Sequence, residues 1–577
     1  MVLQVTCHDA KVCEENLCFI SDIGVNMTLP RTHGLSTLGR RTLLGGSVAG
    51  LALLAGCSNN DGSTGGNDDR SGEVETAGAL PNHVPYTELQ PDLPAGDAGV
   101  PAGYFSYPQE PVEFGQLPLP QTDPAQMLAQ SLPQHVPQAT NSWYQALTAD
   151  MGNQFNLIAG GYTEYEQKFA VTIASGDLPD MMMIGSPPRT DQVLESSCKD
   201  LTPFLAGDAV EQYPALAAIP PETWEVAILN GKLWGISKGN PPAGHVWNVR
   251  TDHAEEAGLG ATPAPADGAE LMDMLRALSA PDQNRFAIGG DPVSWMVPNF
   301  LMMHGVKPGW SRADDGTFHH QYEDEALEQV VADVKTLFDE RVIHPNSIID
   351  PSNNGSWWVS GTTSCLIQGF SGWSTYVQRG VPAGYIDLPQ WGGGGAAATW
   401  GGNAGYAAYM AISAKASDER VHEILSLWNY IAAPFGTKEY LTVNYGVEGT
   451  HWEWVDGHPT RLSDAYEAER VGGYKYAGST DAAQLYTPGD EELVRTQHAY
   501  LSEKLPVAVY SDAKGLYSTA EQEAGAAANR ELLGVMREII QSQRPVSDLA
   551  AAVESWKKDA GDEIREEYQE AWAAANG

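Results

Sequence analysis

Along the body of this chain the apolar positions switch between a helical and a strand period, and the switches mark out its elements. From residue 141 the spacing is helical: Trp143 and Leu147 fall on one face and Asn141 stands where its side chain can cap the first turn, predicting a helix over 141–150. A short strand pattern at 155–159 passes through Gly160 and Gly161 into a helical stretch at 162–175, which Gly176-Asp177-Leu178-Pro179-Asp180 stops before the apolar run 181–184. Strand, helix, strand at this spacing is a βαβ unit, so a parallel sheet covered by helices is expected. Upstream, 112–119 reads as a strand followed by a proline-rich loop. Trp428 with Ile424 and Leu427, and Trp556 with Val553 and Leu549, fall at helical spacing and read as core.

The N-terminal region follows different rules. Arg40-Arg41, a run of apolar and small residues from Leu43 to Ala55, and Leu54-Ala55-Gly56-Cys57 stand in the order of a secretory signal, too short for a permanent membrane span. The Leu-Ala-Gly-Cys ending resembles the bacterial lipobox, which implies a lipid on Cys57 and anchoring to the outer face of the cell membrane. The paired arginines point to twin-arginine export, although Gly39 stands where such signals usually carry Ser or Thr. Residues 1–26, with Cys7, Cys13 and Cys18, look like neither a signal nor a fold, and Met27 reads as the natural start. From Ser58 to about residue 110 the chain is rich in Gly, Ser, Asn, Asp and Pro, a flexible tether whose later part, 81–111, is expected to lie along the domain surface.

Length and charge narrow the function. With 577 residues, 42% of them hydrophobic, the chain can build two or three domain cores. Its formal net charge of -41 works against a nucleic-acid partner, because a phosphate backbone needs clustered Lys and Arg. Cys198 and Cys365 are too few for a disulfide framework and lack metal-ligand spacing, so two separate thiols are expected. The stretch 369–373 lacks the final glycine of a nucleophile elbow, and 392–395 lacks the Lys and Ser or Thr of a phosphate loop. His319-His320 has no carboxylate or cysteine at ligand spacing and reads as a solvated loop pair.

Several segments together resemble family 1 of the extracellular solute-binding proteins, the capture subunits of ABC sugar importers. They are Tyr162 with Lys168 and 173–180; Asn230-Gly231-Lys232-Leu233-Trp234-Gly235-Ile236; Val249-Arg250-Thr251-Asp252; and Asn444-Tyr445-Gly446-Val447-Glu448-Gly449. The last is similar to a large-lipoprotein subgroup that includes binders of alginate fragments. The resemblance implies an α/β, two-lobed periplasmic-binding-protein-like fold with hinge crossover strands. It implies a helix at 325–339 with His344-Pro345 as its exit, strands at 363–368 and 407–413, and terminal helices across 548–572. On this reading 1–56 is the signal region and 57–110 the lipid anchor and tether. Lobe one takes 111–246 and 397–450, lobe two 247–396 and 451–577. A monomer with a carbohydrate ligand, ABC permease subunits as partners and no cofactor is implied. Some relatives carry a calcium loop where this chain has Ser279-Ala280-Pro281-Asp282-Gln283-Asn284-Arg285; one carboxylate is too little anionic oxygen, so no metal is expected.

A sugar cleft needs aromatic plates and fixed hydrogen-bond partners. Trp373 leaves a strand through a glycine-rich turn, as stacking tryptophans do in similar maltose binders, and is the first candidate. Trp400 and Asn403 precede a crossover strand, Trp247 stands before the hinge, Trp224 precedes the 230–236 hairpin, and Trp295 lies in a turn-rich stretch. Tyr162 and Trp143 open helices; Asp180 and Glu448 are candidate acceptors of sugar hydroxyls. Arg250 is read as pairing with Asp252. Two alternatives stay open: an anchored lyase or glycosidase, which needs two carboxylates across one cleft, and a sugar sensor or adhesin without transport.

Overall fold

The computed structural model describes residues 78–576 except 132–135, 153–154, 162–163, 186, 188, 241–242 and 403. The lipobox, the twin arginines and the start of the tether therefore lie outside the described residues. The body begins with β1 (Ala125–Gln130), α1 (Ser142–Asp150), β2 (Phe155–Gly160), α2 (Tyr165–Ser175), β3 (Met181–Ile184) and α3 (Thr190–Ser197). A tight hairpin, β4 (Ile228–Leu229) and β5 (Lys232–Leu233), turns through Asn230 and Gly231 at φ 52° and 67°, the left-handed pair such two-residue turns require. Then come β6 (Gly235–Gly239), β7 (His245–Arg250), β8 (Phe286–Ile288), α4 (Pro292–Met303), β9 (Trp310–Arg312), β10 (Phe318–His320), α5 (Ala326–Asp339), β11 (Thr363–Gly369) and β12 (Ala383–Tyr385). The chain closes with β13 (Gly405–Ile412), α6 (Asp418–Ile431), α7 (Lys438–Tyr445), β14 (Trp452–Val455), β15 (His458–Arg461), α8 (Glu491–Lys504), α9 (Ala526–Ile540), α10 (Asp548–Trp556) and α11 (Asp562–Asn576).

These strands form two main sheets, ordered β2-β1-β3-β13-β6 and β12-β7-β11-β8. In the first, β1 runs parallel to β2 and β3 while β13 is antiparallel to β3 and β6. All four residues of β3 are buried, as expected of a strand covered on both faces, and Trp428 of α6 packs into the same core. The second sheet carries its own core, with Val249, Ile288, Phe300, Val334 and Met536 all buried. Two sheets, each with a separate core, are the two lobes. Cys198 lies in the first core and Cys365 in the second, both as free thiols.

Three sequence expectations change. Residues 112–119 form no strand: Val112 makes one isolated bridge to Thr437, and Pro118 cannot donate to a ladder. The strand beside β2 and β3 is instead β1, inside the stretch read as a proline-rich loop; Met127, Leu128 and Ala129 are buried together without alternation, so no period-2 signal marks them. The lobe boundary also moves. Tyr466, Val471, Tyr474, Tyr476 and Ala477 belong to the first core, and the chain joins second-lobe residues at α8, whose Val494 and Leu501 pack with Val246, Phe370 and Trp373. The terminal helices at 548–572, the helix at 326–339 and the strand at 363–369 stand where the resemblance put them.

Residues 78–111 form a strap laid on the body. Asn82 N donates to Gly207 O (3.0 Å), Val84 N to Ala217 O (2.8 Å) and Tyr104 N to Leu485 O (2.9 Å). Tyr107 is buried and its hydroxyl donates to Thr437 O at 2.6 Å. The described residues lie in one compact unit, and among them no helix is long and apolar enough to cross a membrane.

Candidate functional site

The chain passes from the first sheet to the second between β6 and β7 and returns between β12 and β13. The two passages run side by side as a hydrogen-bonded ribbon: Asn240 N donates to Ala404 O (2.7 Å) and Gly244 N to Trp400 O (2.8 Å). A third segment joins it where Gly401 N donates to Val509 O (2.8 Å) and Val509 N to Thr399 O (2.9 Å). Few extended segments carry the connection, which is the geometry of a hinge: small φ/ψ changes there swing one packed lobe against the other. The strand ends nearest the ribbon are the carboxyl ends of β1, β2, β3 and β6, the amino end of β7, and the carboxyl ends of β8, β11 and β12, as the pairing registers require.

An aromatic cluster stands on this hinge, its rings inclined to one another by 49° and 60°. His245, the first residue of β7, has its ring centroid 4.8 Å from that of Trp400 and 4.8 Å from that of Trp295 on α4. Both tryptophans are half-buried, so each keeps surface for a ligand. The Asn299 amide donates to His245 Nδ1 (3.0 Å) and to Trp295 O (2.6 Å), tying the histidine to one of its neighbours. Burial pushes the imidazole down to about 4, so at neutral pH the ring is uncharged, with Nδ1 as an acceptor. Two residues on, Trp247 projects from the same face of β7 and stacks on Phe300 at 6.1 Å. Behind the cluster is a cavity of about 20 Å³ lined by His245, Trp247, Asn299, Thr399 and the ion pair Lys504–Asp387 (2.5 Å), room for about one water molecule.

On the first lobe, next to the ribbon, Lys238 of β6 holds its ammonium 4.7 Å from the ring centroid of Tyr406 and 5.5 Å from that of Tyr476. Nearby, Asp481 pairs with Lys475 at 3.0 Å. Burial works to raise the Asp481 carboxyl, but Lys475 and Lys238 outweigh it and hold it at about 2. Flat aromatic faces, a neutral imidazole and fixed amide and ammonium donors are the groups that suit a polar ligand with apolar faces.

The sequence candidates scatter. Trp400 and Trp295 meet across His245, and Trp247 lines the cavity behind them. Trp373 is buried, its Nε1 donating to Ala383 O at 3.2 Å, and packs on Tyr385 and Tyr500. Trp143 and Trp224 are buried in the first core, the former donating to Thr442 O at 2.8 Å. Asp180 is at the end of β3 away from the ribbon, where it pairs with Arg420 (3.0 Å) and accepts from Gln126 N (2.8 Å). Glu448 is exposed beside the bridge it makes to Trp452. Tyr162 and Asn403 lie outside the described residues. Arg250 does pair with Asp252, at 2.7 Å.

His245 and Lys238 were not candidates from sequence. Their one signal was position: His245 stands within two residues of the predicted lobe crossing at 246–247, and Lys238 on the strand that leads up to it. His320, read as a solvated loop residue, is buried against Trp310, Trp556 and Tyr322 and caps the turn after β10. Among the described residues no cluster of three His, Cys, Asp or Glu side chains is placed to hold a metal ion.

Two α/β lobes on a narrow hinge, with aromatic and polar groups at the crossing, define a ligand-capture protein. The chain belongs to the bacterial extracellular solute-binding proteins, whose family model matches residues 142–447. It is 20% identical over 478 residues to Lipoprotein LipO of Bacillus subtilis, covering 78% of this chain and 93% of that one. It is 21% identical over 429 residues to the polygalacturonan/rhamnogalacturonan-binding protein YtcQ of the same organism, covering 71% and 84%. The solved alginate-binding protein AlgQ2 without calcium ion shares its fold with a TM-score of 0.55 at 15% identity, covering 78% of this chain and 98% of that one.

Proposed function

We propose that this protein captures a carbohydrate, in the size range of an oligosaccharide, between its lobes and delivers it to an ABC permease while anchored outside the cell membrane through a lipid on Cys57. The observation that carries the reading is the Trp295–His245–Trp400 aromatic cluster on the hinge ribbon. Sugar rings present C–H faces that pack on aromatic plates and hydroxyls that need fixed partners. A ligand that touches both lobes binds the closed arrangement better than the open one, and so shifts the hinge population toward the shape a permease can read. The names of YtcQ and AlgQ2, both polysaccharide binders, support the ligand class, and that of LipO supports the anchor. Non-enzymatic capture is part of the same proposal.

The test is a thermal-shift screen of the chain from Ser58 against neutral and acidic mono-, di- and oligosaccharides, since a ligand that binds only the folded state raises its melting temperature. A shift with one saccharide class that is lost in Trp400→Ala supports the reading. No shift with any saccharide, or release of shortened products during incubation, overturns it.

A further inference from the structure

We propose that Lys238 forms a carboxylate-binding subsite on the first lobe, making a saccharide that carries carboxylates, as uronic acids do, the preferred ligand. This rests on the carbohydrate reading above and narrows it.

The argument begins with the scarcity of cations. Against 74 acidic residues the chain has 33 Lys and Arg, and most of those near carboxylates are already paired with them. Lys238 is not: among the described residues its ammonium makes no ion pair and no hydrogen bond, and it lies over the faces of Tyr406 and Tyr476. Ring faces hold an ammonium in place but accept none of its hydrogens in a strong bond, so its donors stay available. Arg461 is in the same condition, stacked over Tyr445 (5.5 Å) and Tyr466 (4.6 Å) without a carboxylate.

One carboxylate feels all of these charges. Asp481 is held down by Lys475, Lys238 and Arg461 together, yet it contacts Lys475 alone, and its Oδ1 is buried with no hydrogen-bond partner. Of the cations that hold Asp481 down only Lys475 contacts it, so the Lys238 ammonium keeps its hydrogens for another acceptor.

Position supplies the rest. Lys238 is the next-to-last residue of β6, two residues before the ribbon bond at Asn240, and Tyr406 is the second residue of β13 after the return crossing. The free ammonium is therefore at the edge of the first lobe where the chain crosses to the second. A carboxylate arriving there gains charge-assisted hydrogen bonds, which are about twice as strong as neutral ones. A neutral sugar gains only the ring contacts.

Calorimetric titration of the mature protein with a panel of uronate trisaccharides and the same compounds fully methyl-esterified tests this, because esterification removes the charge and keeps the sugar. The free acid of the bound trisaccharide is expected to bind at least about tenfold more tightly than its ester, with the ratio falling as salt is raised. Lys238→Met brings the ratio to about one, and Lys238→Arg keeps it above one. Equal ratios in wild type and Lys238→Met, or a wild-type ratio of one, overturn the subsite. Binding of neutral oligosaccharides with every uronate rejected sinks the subsite and leaves the carbohydrate reading intact; binding of no saccharide at all sinks both.

Discussion

The rings of His245 and Trp400 meet edge to face on the hinge ribbon, their centroids 4.8 Å apart and their planes at 60°. One residue begins the passage into the second lobe and the other ends the return from it, so the contact reports on the hinge itself. Removing either ring should act on binding more than on folding. Trp400 is half-buried and its loss removes one plate, so Trp400→Ala is expected to weaken ligand binding by about tenfold or more while costing less stability than a fully buried tryptophan. Trp428→Ala, in the first core, supplies the contrast: a cost of about 3–5 kcal/mol in unfolding free energy. Titration calorimetry and urea unfolding on both variants check the difference.

Acid should destabilise the protein well before its carboxylates titrate. Burial pushes His245 down to about 4 and His320 to about 3, whereas an unfolded histidine takes a proton near 6.5. Between those values the unfolded chain binds more protons than the native one, so stability falls as pH drops from 6.5 toward 4 and gains nothing further from these groups above 6.5. Each contributes a slope of at most about 1.4 kcal/mol per pH unit. Urea midpoints at pH 7, 5.5 and 4.5 should decrease in order, and the decrease should be shallower in His245→Gln. Identical midpoints would show that neither ring is protected.

The strap depends on one buried carboxylate. Glu439 accepts from Phe114 N at 2.8 Å and from Gly115 N at 3.0 Å, fixing the end of residues 78–114 to α7. Glu439→Ala leaves both N–H groups without that acceptor, at a cost of about 1–3 kcal/mol. The loss should be local as well as global, with faster amide exchange at Phe114 and Gly115 than at β1.

How far the sequence reaches can be judged from these same residues. The helix at 141–150 was legible because Asn141, Trp143 and Leu147 each obey a local rule, and Asn141 does accept from Tyr144 N. Strand β1 was not, because burial on both faces erases the alternation that marks a strand. The same limit applies to the site. A tryptophan in a glycine-rich turn is a fair guess for an exposed plate, yet Trp373 is covered by Tyr385 and Tyr500, side chains that come from a different strand and from α8. Trp400 and Trp295 meet only through His245, a residue far from both in sequence, and no local pattern encodes that meeting. Lys238 is likewise unremarkable until β13 brings Tyr406 beside it.

Among the described residues, three polar contacts join the lobes away from the ribbon. Arg189 pairs with Glu523 (2.9 Å), Lys514 pairs with Glu225 (3.4 Å), and the Tyr517 hydroxyl donates to Asp191 (2.9 Å). The first two pairs are exposed, so each should contribute less than about 1 kcal/mol and be weakened by salt. Removing Glu523 and the Tyr517 hydroxyl together, as Glu523→Gln with Tyr517→Phe, is expected to lower ligand affinity by less than about tenfold, with the larger effect at low salt. Small-angle scattering should show the unliganded double variant more extended than wild type. An unchanged scattering profile and affinity would mean that the ribbon alone sets the lobe arrangement.

The ribbon has its own test in glycine. A Cβ added at Gly244 would lie 2.6 Å from the carbonyl oxygen of Trp400 and 3.0 Å from its Cβ. The obstructing atom is backbone and is the acceptor of the Gly244 N–H bond, so relief requires the two crossing segments to move apart and lose that bond. Gly244→Ala is therefore expected to cost about 1–3 kcal/mol and to weaken ligand binding by separating His245 from Trp400. Gly369→Ala is the matched control, since a Cβ at the end of β11 meets nothing within 4 Å. If the two variants unfold at the same urea concentration and bind equally well, the paired crossing is not what holds the aromatic cluster together; if Gly244→Ala alone loses both, the hinge and the site are one structure.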